Sequence, residues 1–279
     1  MHVNSEILTK SIDAIEDAVD RLKDRFPPPA FVTLSEGIPA FRHGSQDDLL
    51  MSYLKCVRSV SLLRAGMLML SGGFYQEVGI LCRCLAESFE DVMFLATPLG
   101  DEGKPSKKQI QMVGEFFQEE FEDPTKPLGS QNRRERVPRD DVLAGIARIQ
   151  GNPLNASDAK MVYRQSHMTF SGYVHGAYPH VMELFGAKPD KNGNPDVADG
   201  EYYMHGRVPP QQLGAMVNSF ASRTHDVAIA VCTVAKRLGE FALSDALMPA
   251  IEQIAHATGS IRIVNPNQAI KNIKLGKPL

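Results

Sequence analysis

The chain reads as an all-α protein, an antiparallel helical bundle with loop insertions, on three observations. Long stretches repeat apolar residues at the 3.6 period of a helix. The breaks between several of them are short and built from Gly or Pro, which folds neighbouring helices back on one another. No strand-like runs alternate with these helices, so a parallel sheet is not expected. Two insertions, 97–139 and 186–208, interrupt the helical pattern.

Leu8, Ile12, Ile15, Val19, Leu22 and Phe26 are spaced 4, 3, 4, 3, 4, which predicts an amphipathic helix over 4–26 stopped by Pro27, Pro28 and Pro29. The long proline-containing connection after it predicts an arm that packs on a second subunit, and hence a homo-oligomer. Ser45 is expected to cap a second helix, with Asp47 and Asp48 in its first turn. Its stripe is Leu49, Tyr53, Cys56, Val60, Leu63, Met67 and Leu70, and Gly72-Gly73 then allows only an antiparallel partner. That partner runs over about 74–96, with Phe74, Val78, Leu81, Leu85, Phe89 and Val92 along one side.

Ser106 and Gln109 form a capping-box pattern for a shorter helix through Phe116, Phe117 and Phe121. A Pro/Gly/Arg loop over 123–139 leads to a short helix near 140–150 and the break Gly151-Asn152-Pro153. Asn155 or Ser157 then caps a helix that carries Ser171 and His175. A small hairpin ending in Glu201–Val208 fits the second insertion. Pro209 and Pro210 open the longest helix, whose stripe runs from Leu213 through Val217, Phe220, Thr224, Val227, Val231 and Val234 to Leu238. A final helix is expected near 245–257. One domain therefore spans 1–258, and a weakly basic tail at 259–279 with Lys271, Lys274 and Lys277 is expected to be mobile.

Hydrophobic residues make up 43% and charged residues 23% of the chain, so 279 residues can bury a sizeable core. A net charge of −3 exerts no global pull on nucleic acid or anionic membrane, so any such contact must be local. Cys56, Cys82, Cys84 and Cys232 form no CxxC pair and read as core thiols of a reducing, cytoplasmic protein. The N-terminus has neither a basic n-region nor an apolar h-region, so no secretory leader is read. The apolar stretch 49–96 is broken by Arg58, Arg64, Arg83 and Glu87, which argues against a membrane span and for a soluble chain.

Polar chemistry concentrates in two pairs. Arg83 with Glu87, and Ser171 with His175, are each spaced i,i+4 inside apolar helical settings, so each pair shares one helix face. Buried charge is costly unless paired. Either these groups satisfy one another as a structural network or they line a pocket. In the pocket reading His175 is a general base, Ser171 orients it, Arg83 or Arg164 holds an anion, and Tyr163 lies at the rim. Arg133, Arg134, Arg136 and Arg139 form a cationic run in the first insertion that can grip phosphates. No glycine-rich phosphate loop, GxSxG elbow or HExxH motif is present, and His175 and His180 are separated by Pro179, so neither cofactor nor metal is expected. Asp190, Asn192, Asn194, Asp196 and Glu201 fall at calcium-loop positions. Pro195 stands where the turn wants Gly, so a polar surface turn is expected instead.

Arg83-Cys-Leu-Ala-Glu87 after a Gly turn, followed by Tyr163-Arg164 and Ser171-Gly-Tyr-Val-His175, resembles a family of uncharacterised bacterial all-helical proteins over about 45–185. That family is similar in shape to HEPN domains, helical bundles that often dimerise and often act in RNA cleavage or phage defence. The resemblance implies a helical module that binds RNA or a protein partner, or else a ribonuclease or nucleotide-acting enzyme using His175. HEPN nucleases carry Arg followed by His after four to six intervening residues. Here Arg164 is followed by His167 after two residues and by His175 after ten, which favours the non-enzymatic module.

Overall fold

A computed structural model describes residues 5–34, 37–97, 99–100, 104–119, 127–129, 136–148, 156–189, 191–192, 195–204 and 210–258. Its elements are α1 (Ser5–Leu22), β1 (Ala30–Thr33), β2 (Pro39–Arg42), α2 (Asp48–Gly72), α3 (Tyr75–Ala96), α4 (Lys107–Phe117) and α5 (Arg139–Ile146). They continue with α6 (Ala156–Val174), α7 (Tyr178–Met182), β3 (Phe185–Pro189), β4 (Pro195–Tyr202), α8 (Pro210–Arg237) and α9 (Phe241–Thr258). The all-α bundle is thus observed, with two small antiparallel hairpins attached.

The long helices α2, α3 and α8 pack on one another, and α1 and α9 complete the layer around α8. Leu63, Leu85, Phe220, Val231 and Ile254 are among the fully buried side chains of this core. The Phe220 ring of α8 occupies the space that a Cβ on Gly66 of α2 would need, so the crossing of these helices depends on that glycine. A second, smaller core joins α2, α3, α4 and α5 through Met51, Phe94, Met112, Val142 and Ile146.

α1 is not an arm. Leu8, Ile12, Ile15, Val19 and Leu22 are buried in the chain's own main core against α2, α8 and α9. On its polar flank Asp13 pairs with Arg64 of α2 at 2.7 Å. The proline-containing connection is long enough to return the helix to its own bundle, and the hairpin β1/β2 is built into it. That hairpin was not foreseen: strands of four residues are too short to show alternation, and Phe31 and Phe41 pair across them at 5.6 Å on the exposed surface.

Caps follow local chemistry. Asp47, not Ser45, caps α2: its carboxylate accepts the Leu50 N–H at 2.8 Å. The capping box of α4 forms as the spacing predicts, and the Gln109 amide also donates to the Phe94 and Thr97 carbonyls at 2.7 Å each, tying α4 to the end of α3. Gly73 takes the left-handed conformation, φ 78°, that closes α2. The predicted cap Asn155 and the tail 259–279 lie outside the described residues, and Ser157 lies inside α6. The second hairpin occurs where expected but spans β3 and β4 and ends at Tyr202. No described helix is long and apolar enough to cross a membrane.

Because Ile12 is fully buried within its own chain, Ile12→Ala should cost about 2–5 kcal/mol in urea unfolding, independently of protein concentration. A loss that shrinks as concentration rises would restore an intersubunit role for α1.

Candidate functional site

One face of α3 carries Arg83, Glu87, Glu90 and Asp91, and these residues do not share one environment. The Arg83 Nη2 donates to Glu87 Oε1 at 2.8 Å, with side-chain exposures of 13% and 44%. The pair is therefore half-buried, with Glu87 reaching solvent, and not the sealed core pair expected from the apolar setting. The deeply buried carboxylates are the next ones along the helix, Glu90 at 3% and Asp91 at 11%.

Arg139, at the first position of α5, clasps both of them. Its Nη1 donates to Asp91 Oδ1 at 2.6 Å, and its Nη2 pairs with Glu90 and donates to the Glu87 carbonyl at 3.1 Å. Lys55 of α2 holds the other Asp91 oxygen at 2.8 Å and lies over the Phe116 ring of α4. This corrects the expectation that Arg139 belongs to a solvated phosphate-gripping loop. Two buried carboxylates require a cation, and Arg139 supplies it with a planar fork of donors. Arg136 is exposed, while Arg133 and Arg134 lie outside the described residues.

α6 runs antiparallel to α3 across this face. The Tyr173 ring packs over Gly79, 2.8 Å from where a Cβ would sit, and His167 Nε2 lies 3.8 Å from Glu87 Oε1. His167, not His175, is the imidazole that meets the α3 charges. Ser171 is half-buried one turn beyond His167, between the levels of Glu87 and Gly79, whereas His175 and Arg164 are exposed. Ser171 and His175 are joined by the backbone, the His175 N–H donating to the Ser171 carbonyl at 3.1 Å. His180 packs edge-on against Tyr173 at 4.3 Å and so turns away from any joint role with His175. Tyr163 is half-buried, and its hydroxyl is pushed up by burial, by Asp226 and by Glu90. On α8, Asp226 pairs with Arg223 at 2.9 Å.

Only part of the calcium pattern falls on described residues. Asp190 and Asn194 lie outside the described residues, and Pro195–Tyr202 is an extended strand and not the second half of a cation loop. The cysteines are free. Burial pushes the Cys56 and Cys82 thiols up to about 12, which makes them inert.

Burial, with Arg83 and Arg139 adding their repulsion, drives His167 down to about 4. Burial also lowers Arg83 and raises Glu90 against the attraction of Arg139. Arg83 Nη1, Arg139 Nε, His167 Nε2 and Arg223 Nε are buried without a hydrogen-bond partner among the described residues. Each such unsatisfied polar atom costs about 1–3 kcal/mol relative to a satisfied one. The seam of α3, α5 and α6 thus holds unspent donor capacity beside a solvent-reaching carboxylate. Sequence reasoning missed Glu90, Asp91, Lys55 and His167. The available signal was that Glu90 and Asp91 continue the face begun by Arg83 and Glu87 inside an apolar helix.

No protein-family model, curated protein or solved structure matches this chain.

Glu90→Ala should destabilise the protein by about 3–5 kcal/mol, because it breaks a buried ion pair and leaves the Arg139 guanidinium with Asp91 as its one remaining carboxylate among the described residues. Glu87→Ala should cost about 1 kcal/mol or less, as solvent screens an exposed acid. Equal losses in urea unfolding would refute this division of the α3 face.

His167 also sets a pH dependence. Its folded pKa near 4 lies below the ordinary 6.5, so an unfolding chain takes up a proton that the folded site refuses. Stability is complete above pH 6.5 and drains as pH falls toward 4, by on the order of 2 kcal/mol. Glu90, held above its usual range, acts in the opposite sense, so the comparison is between variants. His167→Gln should flatten the slope between pH 6.5 and 4, and an unchanged slope would remove His167 as its source.

Proposed function

We propose that this chain is a HEPN-like helical module that binds RNA through phosphate contacts and does not cleave it. The reading rests on where the imidazoles stand. His175, the residue nominated as base, is exposed just past the end of α6. His167, which does reach the α3 charges, has a pKa of about 4. A general base works best with a pKa near the operating pH, so His167 is a weak one at neutrality.

What the seam offers is recognition chemistry: guanidinium N–H groups, the donors best matched to phosphate oxygens. Arg136 adds an exposed cation a few residues from Arg139. The Arg-x3-Glu and Ser-x3-His resemblance supports RNA as the ligand class.

Purified wild type, His175→Ala and His167→Ala, matched for folding, are incubated with total RNA across pH 6–9 and with divalent ions. Wild type and His175→Ala should retain RNA on filters and release it as salt rises, and all three proteins should leave it intact on gels. Cleavage by the wild type that His175→Ala abolishes would establish the enzymatic reading in its place. Failure to retain RNA at low salt would remove RNA as the partner.

A further inference from the structure

Glu87 differs from the other acids of its face. Glu90 and Asp91 are locked by Arg139 and, for Asp91, by Lys55 as well. The Glu87 carboxylate is 44% exposed, and its contacts are Arg83 at 2.8 Å and the His167 ring at 3.8 Å. Arg83 Nη1, Arg139 Nε and His167 Nε2 are all buried and all without a hydrogen-bond partner among the described residues. All three side chains meet at Glu87: Arg83 at 2.8 Å and His167 at 3.8 Å from its carboxylate, and Arg139 Nη2 at 3.1 Å from its carbonyl oxygen.

The local charges balance only while Glu87 is in place. Arg83, Arg139 and Lys55 face Glu87, Glu90 and Asp91. Two neighbouring pairs are satisfied on their own, Arg223 with Asp226 at 2.9 Å and Lys160 with Asp140 at 3.3 Å, while Arg58 and Arg136 are exposed and screened by solvent. Swinging Glu87 into water would leave one uncompensated positive charge beside a freed guanidinium fork.

We propose that Arg83, Arg139 and His167 form a binding site for a singly charged tetrahedral oxyanion of the phosphodiester class, and that the Glu87 carboxylate occupies its mouth until the anion displaces it. The site deepens the RNA-binding reading and rests on it for the source of the phosphodiester. One phosphodiester carries the single negative charge that restores balance. Its oxygens accept from the Arg83 fork and from the donors that the folded chain leaves unspent. Glu87, only half-buried, moves to solvent at small cost. The carboxylate therefore acts as a built-in competitor that keeps weak anions out.

The test uses the full chain and two probes, a short single-stranded RNA oligonucleotide and inorganic phosphate, titrated calorimetrically at low salt. Glu87→Gln removes the competing charge and keeps the side-chain size. If Glu87 closes the site for about nine-tenths of the time, this variant should bind the oligonucleotide about tenfold more tightly than wild type. It should also gain measurable binding of inorganic phosphate. Arg83→Gln should lose binding of both probes, and Arg83→Lys, which keeps the charge without the fork, should fall between. In the wild type, the oligonucleotide should shift the His167 ring resonances and leave those of His175 unmoved.

Affinity unchanged or weakened in Glu87→Gln overturns the site, and this variant decides even where Arg83→Gln fails to fold. RNA binding that survives undiminished in folded Arg83→Gln also overturns it while the RNA-binding reading stands. Phosphate binding gained by Glu87→Gln, with no RNA retained by the wild type, upholds the site and overturns that reading.

Discussion

Two adjacent carboxylates inside a helical bundle are tolerable only if a cation is carried in with them. The clasp of Glu90 and Asp91 by Arg139 meets that condition, and much of the surrounding structure is arranged by it. It pins the start of α5 to the C-terminal half of α3, and Lys55 extends the tie to α2. The small core of Met51, Phe94, Met112 and Val142 lies along these same helices, so the ionic clasp and the apolar packing reinforce one another.

The main core works by a different principle. Around α8, burial of aliphatic stripes from α1, α2, α3 and α9 supplies non-directional stabilisation, and its geometry is set by close approaches such as Phe220 over Gly66. α3 belongs to both regimes. Val78, Cys82 and Leu85 face the main core, while Arg83, Glu87 and Glu90 are turned toward α5 and α6. One helix is thereby a packing element on one side and the base of a polar seam on the other.

Within the seam a gradient of solvent access decides what each acid can do. Glu90 is sealed and structural, whereas Glu87 reaches water and is held by one short contact. His167, kept neutral by burial, meets Glu87 at 3.8 Å, and Arg83 Nη1 and Arg139 Nε are buried without a hydrogen-bond partner among the described residues.

The helical class, the placement of the long helices and the α4 capping box were legible in the sequence, because apolar periodicity and capping are local rules acting within a few residues. So was the choice of the Arg83/Glu87 face as the polar one. Which imidazole meets it was not legible: Ser171/His175 was as regular an i,i+4 pair as any, yet the antiparallel register of α6 on α3 brings His167 opposite Glu87 and leaves His175 in solvent. Arg139 looked like the last member of an arginine run, and only the fold brings it to acids 48 and 49 residues away in the chain. The stripe of α1 was equally suited to a partner subunit or to its own core, and only the return path of the chain decides between them. Side-chain pattern states what must be buried or paired. The partner across a long separation is chosen by packing geometry, which no short window of sequence contains.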